Sequence, residues 1–417
     1  MASATPWSAA RAEEHLLARE VFGMRFGLER MRRLLTALGS PQERFRSIHV
    51  VGTNGKSSTV RMIAAILERH GVRSGAYLSP HLVRFSERIE VGGLELDGAA
   101  FGAAIARAAR AAELVERALD DDQRVTQFEL LTAACYDELA RSQVEVAVVE
   151  AGLGGRYDAT NVIPSSVQVL TNVGLEHTRF LGPTLADVAR EKLAVVRDST
   201  PLVVGPLARE VEAPLRETVE RHGSRLRRLD ADATPARVAG LAGYQRLNFA
   251  LARAAAEELL GGLDEHATAA AAAVSVPGRL ETIDRNPLTI VDGAHNPDGV
   301  TALIASLPEV LGSLRPVGVV SILDDKDAAV MLGSLARACA RILCTSCSNP
   351  RALSPATLAS LIDQLGGGPA EIEPLPLLAL RRARELAGPA GAVLVTGSTY
   401  LVADVVGVPG ERRASAL

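Results

Sequence analysis

Aromatic side chains are scarce in this chain: eight Phe, five Tyr and one Trp among 417 residues, 3% in all. A core for this length must lean on Ala, Val and Leu. Cysteine is scarce too. Four thiols, Cys135, Cys339, Cys344 and Cys347, make no disulfide framework at this size. Charge of neither sign dominates. A net charge of −4 leaves no electrostatic footprint for nucleic acid and no basic face for a membrane. No uncharged apolar run approaches the roughly 20 residues a bilayer demands, and the opening "MASATPWSAARAEEHLLARE" lacks the apolar segment of a signal peptide. A cytoplasmic enzyme or binding protein is the expectation. Composition is that of a soluble globular protein, 47% hydrophobic and 23% charged. The chain is too long for one compact core, so two domains are expected.

What is present alternates. "RFRSIHVVG", "RSGAYLS", "VEVAVVEAG", "SVQVLTNVG" and "PLVVG" read as buried strands. "SSTVRMIAAILERHG", "AAFGAAIARAARAAELVERAL", "QFELLTAACYDELARS" and "LADVAREKLAVVRD" between them read as helices. After "AAAVSVPGR" the alternation restarts, with strands in "PLTIVDG", "RPVGVVSIL", "ARILCTS" and "GAVLVTGS". Strands alternating with helices predict an α/β fold whose parallel sheets carry helices on their faces. We place the boundary near Val276–Pro277, giving domains of residues 1–276 and 277–417. Ligands of such sheets sit at the carboxyl ends of strands, where Gly52, Glu150 and Asn172 fall.

"HVVGTNGKSSTV", from His49, joins a strand, a glycine-rich turn and a helix start, the context a phosphate loop needs. Free N–H groups and the helix dipole favour an anion there. Gly52 and Gly55 would let the backbone approach the phosphates, with Thr53 and Asn54 between them. Lys56 would bridge outer phosphate oxygens, and Ser57 or Ser58 would face a metal or a phosphate. Val50 stands where the first glycine of the strict phosphate-loop spacing belongs, so a plain strand–turn–helix competes with this reading. Ser79, Glu150 and His177, each beside small residues at a strand end, could meet around one magnesium ion. A set poor in carboxylates suits magnesium on nucleotide phosphates. Against it, His177 could be a capping or core histidine and Glu150 a salt-bridge partner.

"HVVGTNGKSST", "SPHLVRFSERI", "FELLTAACY", "EAGLGGRYDATNV", "GLEHTRFLG", "AREK", "PGRLE", "DGAHNPDG" and "LVTGSTYLV" run in order through nearly the whole chain. Together they resemble the folylpolyglutamate synthase and dihydrofolate synthase family, a branch of the Mur ligases. The phosphate loop is common to Mur ligases; "SPH" with "ERI", and "GLGGR" with "DATN", are more specific to the folate branch. The resemblance implies an N-terminal P-loop-type ATPase domain and a smaller C-terminal Rossmann-like domain. It implies a ligase that phosphorylates a carboxylate with ATP and passes the acyl group to the amine of L-glutamate, releasing ADP and phosphate. The acid would be dihydropteroate or a reduced folate.

The same resemblance distributes roles. Gly52, Thr53, Asn54, Gly55, Lys56, Ser57, Ser58, Asn248, Arg279 and Asp292 would bind ATP. Ser79, Glu150 and His177 would hold magnesium, and Lys192 in "AREK" would be carbamylated to ligate a second magnesium ion. Lys56, Lys192 and His295 would be catalytic. Arg88, His295 and Ser398 would form the glutamate pocket, an arginine being suited to clamp a carboxylate. Thr126, Phe128, Gly155, Arg156 and Asp158 would face the pterin, although an aromatic on an amphipathic helix is more often core. The implied partners are small molecules, ATP, L-glutamate and a pteroate or folate, with no nucleic acid, no membrane and a monomeric state.

Two departures stand out. Tyr244 in "YQRLN" occupies a position where the family usually has histidine, and Asp324 in "LDDKD" one where alanine is usual. Cys344 and Cys347 have redox-motif spacing but no second pair to complete a zinc site. Alternatives within reach are a paralogue that ligates a different carboxylic acid in secondary metabolism, and a degenerate nucleotide-binding paralogue without ligation. Intact Lys56, Glu150, His177, Lys192, Arg279 and Asp292 speak against degeneracy.

Overall fold

The computed structural model describes residues 6–19, 27–119, 124–229 and 240–407. These form two compact units. One takes in the described residues up to 229 together with Leu247–Val274; the other takes in Gly240–Arg246 and those from Ser275 to 407.

The first unit is built on an eight-stranded sheet. Its strands are β1 Arg46–Val51, β2 Ser74–Tyr77, β3 Ile89–Val91, β4 Leu94–Glu95, β5 Val146–Glu150, β6 Val167–Leu170, β7 Leu202–Val204 and β8 Leu226–Arg228. Their order is β4-β3-β2-β5-β1-β6-β7-β8. All run in one direction except β3, which pairs antiparallel with β2 and, across a turn at Gly92 and Gly93 with positive φ, with β4 at the margin. The sequence pattern did not show this hairpin, because its strands are two and three residues long and one is exposed. The central strands are buried on both faces, which is why β5 reads VAVVE without alternation. Helices Gly98–Glu116 and Gln127–Arg141 pack on each other over this sheet. Alanines line the buried side of the first, so close packing replaces the missing aromatics.

The second unit holds six strands: β9 Glu281–Arg285, β10 Leu288–Val291, β11 Val317–Val320, β12 Arg341–Cys344, β13 Glu371–Ile372 and β14 Ala392–Thr396. The order is β13-β12-β11-β14-β10-β9, all parallel except β9. Strand β9, "ETIDR", was also missed by the pattern, being half-exposed and charged.

In both units, two strands that follow one another in chain order lie on opposite sides of a third, so their carboxyl ends open a crevice. In the first unit, β1 lies between β5 and β6, with Val50 level with Glu150 and Val51 with Leu170. That register brings Gly52, Glu150 and Thr171–Asn172 to one place.

Candidate active site

The loop after β1 is fixed by the end of β6. Asn172 receives the Asn54 N–H on Oδ1 (2.9 Å) and donates Nδ2 to Asn54 O (3.1 Å). Thr171 Oγ1 donates to Asn54 O (2.6 Å), and Thr53 Oγ1 donates to Gly174 O (3.2 Å) while accepting the Gly174 N–H (2.9 Å). The glycines are required, for a reason beyond ligand access. Gly52 has φ 153° and Gly55 φ 81°. A Cβ on Gly52 would lie 1.9 Å from Thr171 Oγ1, and one on Gly55 2.5 Å from Asn248 Oδ1. Asn248 thus packs on the loop. Helix Lys56–Arg69 starts at Gly55 with no side-chain cap and no acid in its first turn. Its dipole and the N–H groups of its first turn favour an anion there. Lys56 Nζ folds over this turn onto Thr53 O (3.1 Å).

Glu150, buried, faces the same turn. Its carboxylate accepts from Ser57 Oγ (3.0 Å) and from the backbone N–H of Ser79 (3.0 Å). Ser57 therefore turns to the carboxylate, whereas Ser58 Oγ is buried with no protein partner. Lys192, near the end of helix Leu185–Leu193, is buried and donates Nζ to Gly52 O (2.7 Å). Burial first, then the charge of Lys56, push it down to about 7, against the opposing pull of Glu176 and Asp158. His177 heads the short helix Thr178–Leu181 in a left-handed conformation, φ 51°. Its ring lies 3.8 Å from Glu176. Sequence reading singled out His177 in "GLEHT" and passed over Glu176, whose charge also reaches Lys192. Among the described residues, no three His, Cys, Asp or Glu side chains gather as a metal-binding group. A buried carboxylate beside two serines and an uncapped helix start is nonetheless an oxygen-donor set that fits magnesium shared with phosphates.

Three residues given to the pterin side make close contacts within the protein itself. Thr126 caps helix Gln127–Arg141, its Oγ1 accepting the Glu129 N–H in a capping box. Asp158 points into its own loop, where it accepts from Leu153 N (2.7 Å), Thr160 N (3.0 Å) and Thr160 Oγ1. Gly155 has no room for a side chain, since a Cβ there would lie 2.7 Å from the carbonyls of Glu191 and Lys192. Arg156 docks on the same helix, N–H to Glu191 O (3.0 Å) and Nε to Glu191 Oε1 (2.8 Å). Phe128 packs on the core edge, stacked on Tyr77 with centroids 6.0 Å apart. Arg88 is buried over the Phe85 ring and donates Nε to His81 Nδ1 (2.8 Å).

In the second unit, Asp292 follows β10 and is buried. Its Oδ2 accepts from Tyr244 Oη (2.5 Å) and Leu280 N (2.8 Å), and its Oδ1 from Ala294 N (2.9 Å). Arg279 lies against Gly293, where a Cβ would meet its Nη1 at 2.7 Å. His295 Nδ1 meets Gly293 O at 2.8 Å; a carbonyl only accepts, so this nitrogen carries a proton. Ser398 Oγ caps helix Thr399–Val406 through Tyr400 N (3.1 Å) and lies 4.0 Å from Cys347 Sγ. All four cysteines are buried free thiols, and burial pushes Cys344 up to about 12. Asp324 is an exposed loop residue, its N–H on Arg351 O (2.9 Å).

Comparison with known proteins gives the family. Residues 50–237 match the Mur ligase middle domain, and residues 278–399 match the Mur ligase glutamate ligase domain. The chain is 30% identical to the dihydrofolate synthase/folylpolyglutamate synthase of Bacillus subtilis, with 96% of this chain and 98% of that one covered. It is 33% identical, over 92% of its length, to a probable bifunctional folylpolyglutamate synthase/dihydropteroate synthase of Haloferax volcanii, of which it spans only about half, 48%. The structure of Mycobacterium tuberculosis folylpolyglutamate synthase complexed with ADP superposes with a TM-score of 0.88 at 31% identity, covering 95% of this chain and 97% of that one. The chain belongs to the folylpolyglutamate synthase/dihydrofolate synthase family of Mur ligases.

Proposed function

We propose that this chain is an ATP-dependent ligase that adds L-glutamate to dihydropteroate or a reduced folate through an acyl phosphate. The observation that carries the reading is the meeting of an uncapped helix N-terminus, Lys56, Glu150 and the buried amine of Lys192 at the carboxyl ends of the adjacent strands β1 and β5. A carboxylate oxygen is a poor leaving group and a phosphate a good one, so activation by ATP is needed before an amine can displace it. The chemistry brings two anions together. Lys56 and the helix N–H groups hold the phosphate chain and offset its charge as the phosphoryl group moves. Magnesium, two ions in this reading, held by Glu150 with Ser79 and His177 and by Lys192 as its carbamate, would supply further positive charge to the phosphates. A carbamate forms on a neutral amine, and the burial of Lys192 beside Lys56 disfavours its ammonium form. Asn248, Arg279 and Asp292 serve the nucleotide, Asp292 as acceptor for the ribose hydroxyls. Arg88, His295 and Ser398 serve the incoming glutamate, and Phe128 and Arg156 the acid. The protein acts on small molecules as a cytoplasmic monomer. No described helix is long and apolar enough to cross a membrane.

The test is glutamate-dependent ADP release, run in parallel with dihydropteroate, tetrahydrofolate and an unrelated aryl acid, with Lys56→Ala as the blank. Turnover with either pterin acid and a loss on the order of 10²–10³ in the variant are expected. Turnover with the aryl acid alone would assign the site to a different substrate. Near-normal turnover in Lys56→Ala would remove the phosphate loop from the mechanism.

A further inference from the structure

Tyr244 is the departure from the family pattern that lies on the candidate site. It stands in Gly240–Arg246, which belongs to the second unit although the helix it opens, Tyr244–Leu260, continues in the first. Several bonds hold this short segment to its unit. Gly243 N and Arg246 reach Glu309, Tyr244 N donates to Ser306 Oγ (3.1 Å), and Gln245 Nε2 donates to Arg279 O (3.4 Å). The phenol then reaches Asp292 Oδ2 at 2.5 Å.

A carboxylate offers about four acceptor positions on its two oxygens. Here both on Oδ2 are taken, by Tyr244 Oη and Leu280 N, and one on Oδ1 is taken by Ala294 N. The position left over is on Oδ1. Burial first, and then the charge of Asp292, hold the Tyr244 phenol well above its usual range, so it stays a donor. Leu280 sits at φ 49°, a left-handed conformation unfavourable for a leucine. Its N–H bond to Asp292 holds it there, directly after Arg279, whose guanidinium lies on Gly293.

We propose that Tyr244 is a positioning residue for nucleotide recognition: it immobilises Oδ2 of Asp292 so that Oδ1 is presented to the ribose hydroxyls, and through Leu280 the same carboxylate sets Arg279. The inference rests on the assignment of the ribose to Asp292. A histidine at this position can also donate an N–H to the carboxylate, so the departure keeps the bond while changing the donor.

The readout is sugar discrimination, which loss of fold alone would not alter selectively. Binding of ATP and of 2′,3′-dideoxyATP is measured by calorimetry for wild type, Tyr244→Phe, Tyr244→His and Asp292→Asn, with KM and kcat alongside. Wild type should prefer ATP about tenfold, the scale of a hydrogen bond to a buried charge. Tyr244→Phe should shrink that preference below about threefold and raise KM for ATP more than it lowers kcat. Tyr244→His should restore the preference. Undiminished discrimination in Tyr244→Phe, with discrimination lost in Asp292→Asn, overturns the role of Tyr244. Undiminished discrimination in Asp292→Asn overturns the ribose assignment itself. If Tyr244→Phe does not fold, Tyr244→His decides: a soluble protein that discriminates supports the role, and one that does not makes Tyr244 structural only.

Discussion

Gly52→Ala should be the most informative single change in the phosphate loop. At φ 153° the new methyl would lie 1.9 Å from Thr171 Oγ1 and 3.1 Å from its Cβ. Ordinary contact begins near 3.4 Å, so about 1.5 Å has to be found. Either the loop shifts or Thr171 rotates, and rotation breaks its 2.6 Å bond to Asn54 O. Overpacking of this kind costs about 1–3 kcal/mol, the strained backbone about 1–3 and the lost bond about 1. With overlap between these effects we expect a loss of about 3–5 kcal/mol of stability, which a domain of ordinary stability survives. A displacement near 1 Å at the phosphates should cost about 10²-fold in kcat/KM. Urea midpoints and ADP release measure the two. Adding Thr171→Ala removes the clashing oxygen, so the double variant should regain stability over Gly52→Ala alone. Its activity should stay low, because the Thr171 bond to Asn54 O is gone and only Asn172 still holds Asn54. A Gly52→Ala protein within about 1 kcal/mol and threefold of wild type would refute the argument, as would a double variant no more stable than the single one.

Gently prepared protein should carry a carbamate on Lys192, read as the added mass of CO2 by native mass spectrometry or as density in a nucleotide-bound crystal; a bare amine in both would remove it from the mechanism. Thr126→Ala should lower stability by about 1 kcal/mol through loss of the helix cap and leave KM for the acid substrate unchanged, whereas a large KM effect would return Thr126 to the substrate side. Stability should also fall in acid through His49, which burial, and then Arg197, hold down to about 3. Below the usual histidine value near 6.5 the unfolded chain binds a proton that the folded chain refuses, so this contribution falls by about 1.4 kcal/mol per pH unit until His49 itself titrates. Urea midpoints at pH 7, 6 and 5 should show a shallower decline in His49→Gln, and an equal decline would exclude His49 as the source.

The strands that carry the site were legible because parallel strands buried on both faces are continuous apolar runs. Gly52, Glu150 and Asn172 could be placed at their ends from that pattern alone. The strand–turn–helix form of the loop was legible as well, from the glycines that bracket Thr53 and Asn54 and the apolar run that follows Lys56. What the sequence hid was the destination of each polar side chain. Nothing in "GGRYDATN" says that Asp158 turns inward onto Leu153 and Thr160, or that Gly155 is small because two carbonyls press on it. Thr126 and Glu129 do spell a capping box, a local signal that the reading by resemblance did not use. Glu176 and Thr171 act through contacts made only in the folded chain, which one sequence does not encode as spacing.

The buried histidine of β1 shows how these positioning residues combine. His49 Nε2 lies 2.8 Å from Thr160 Oγ1, and that hydroxyl donates to Asp158. A hydroxyl has one proton, so His49 must be the donor to Thr160 and its ring is the neutral Nε2–H form. Its Nδ1 is then an acceptor buried without a partner, a real cost in stability. What the cost secures is a connection. Strand β1 ends in the phosphate loop, and three residues before Gly52 it reaches sideways through His49, Thr160 and Asp158 to the loop that carries Arg156. Arg156 in turn docks on Glu191, next to Lys192, whose Nζ returns to Gly52 O. The chain of contacts closes on itself around the strand end. In a reaction where a carboxylate must meet a phosphoryl group against their mutual repulsion, rigidity of both loops relative to one strand is worth an unsatisfied nitrogen.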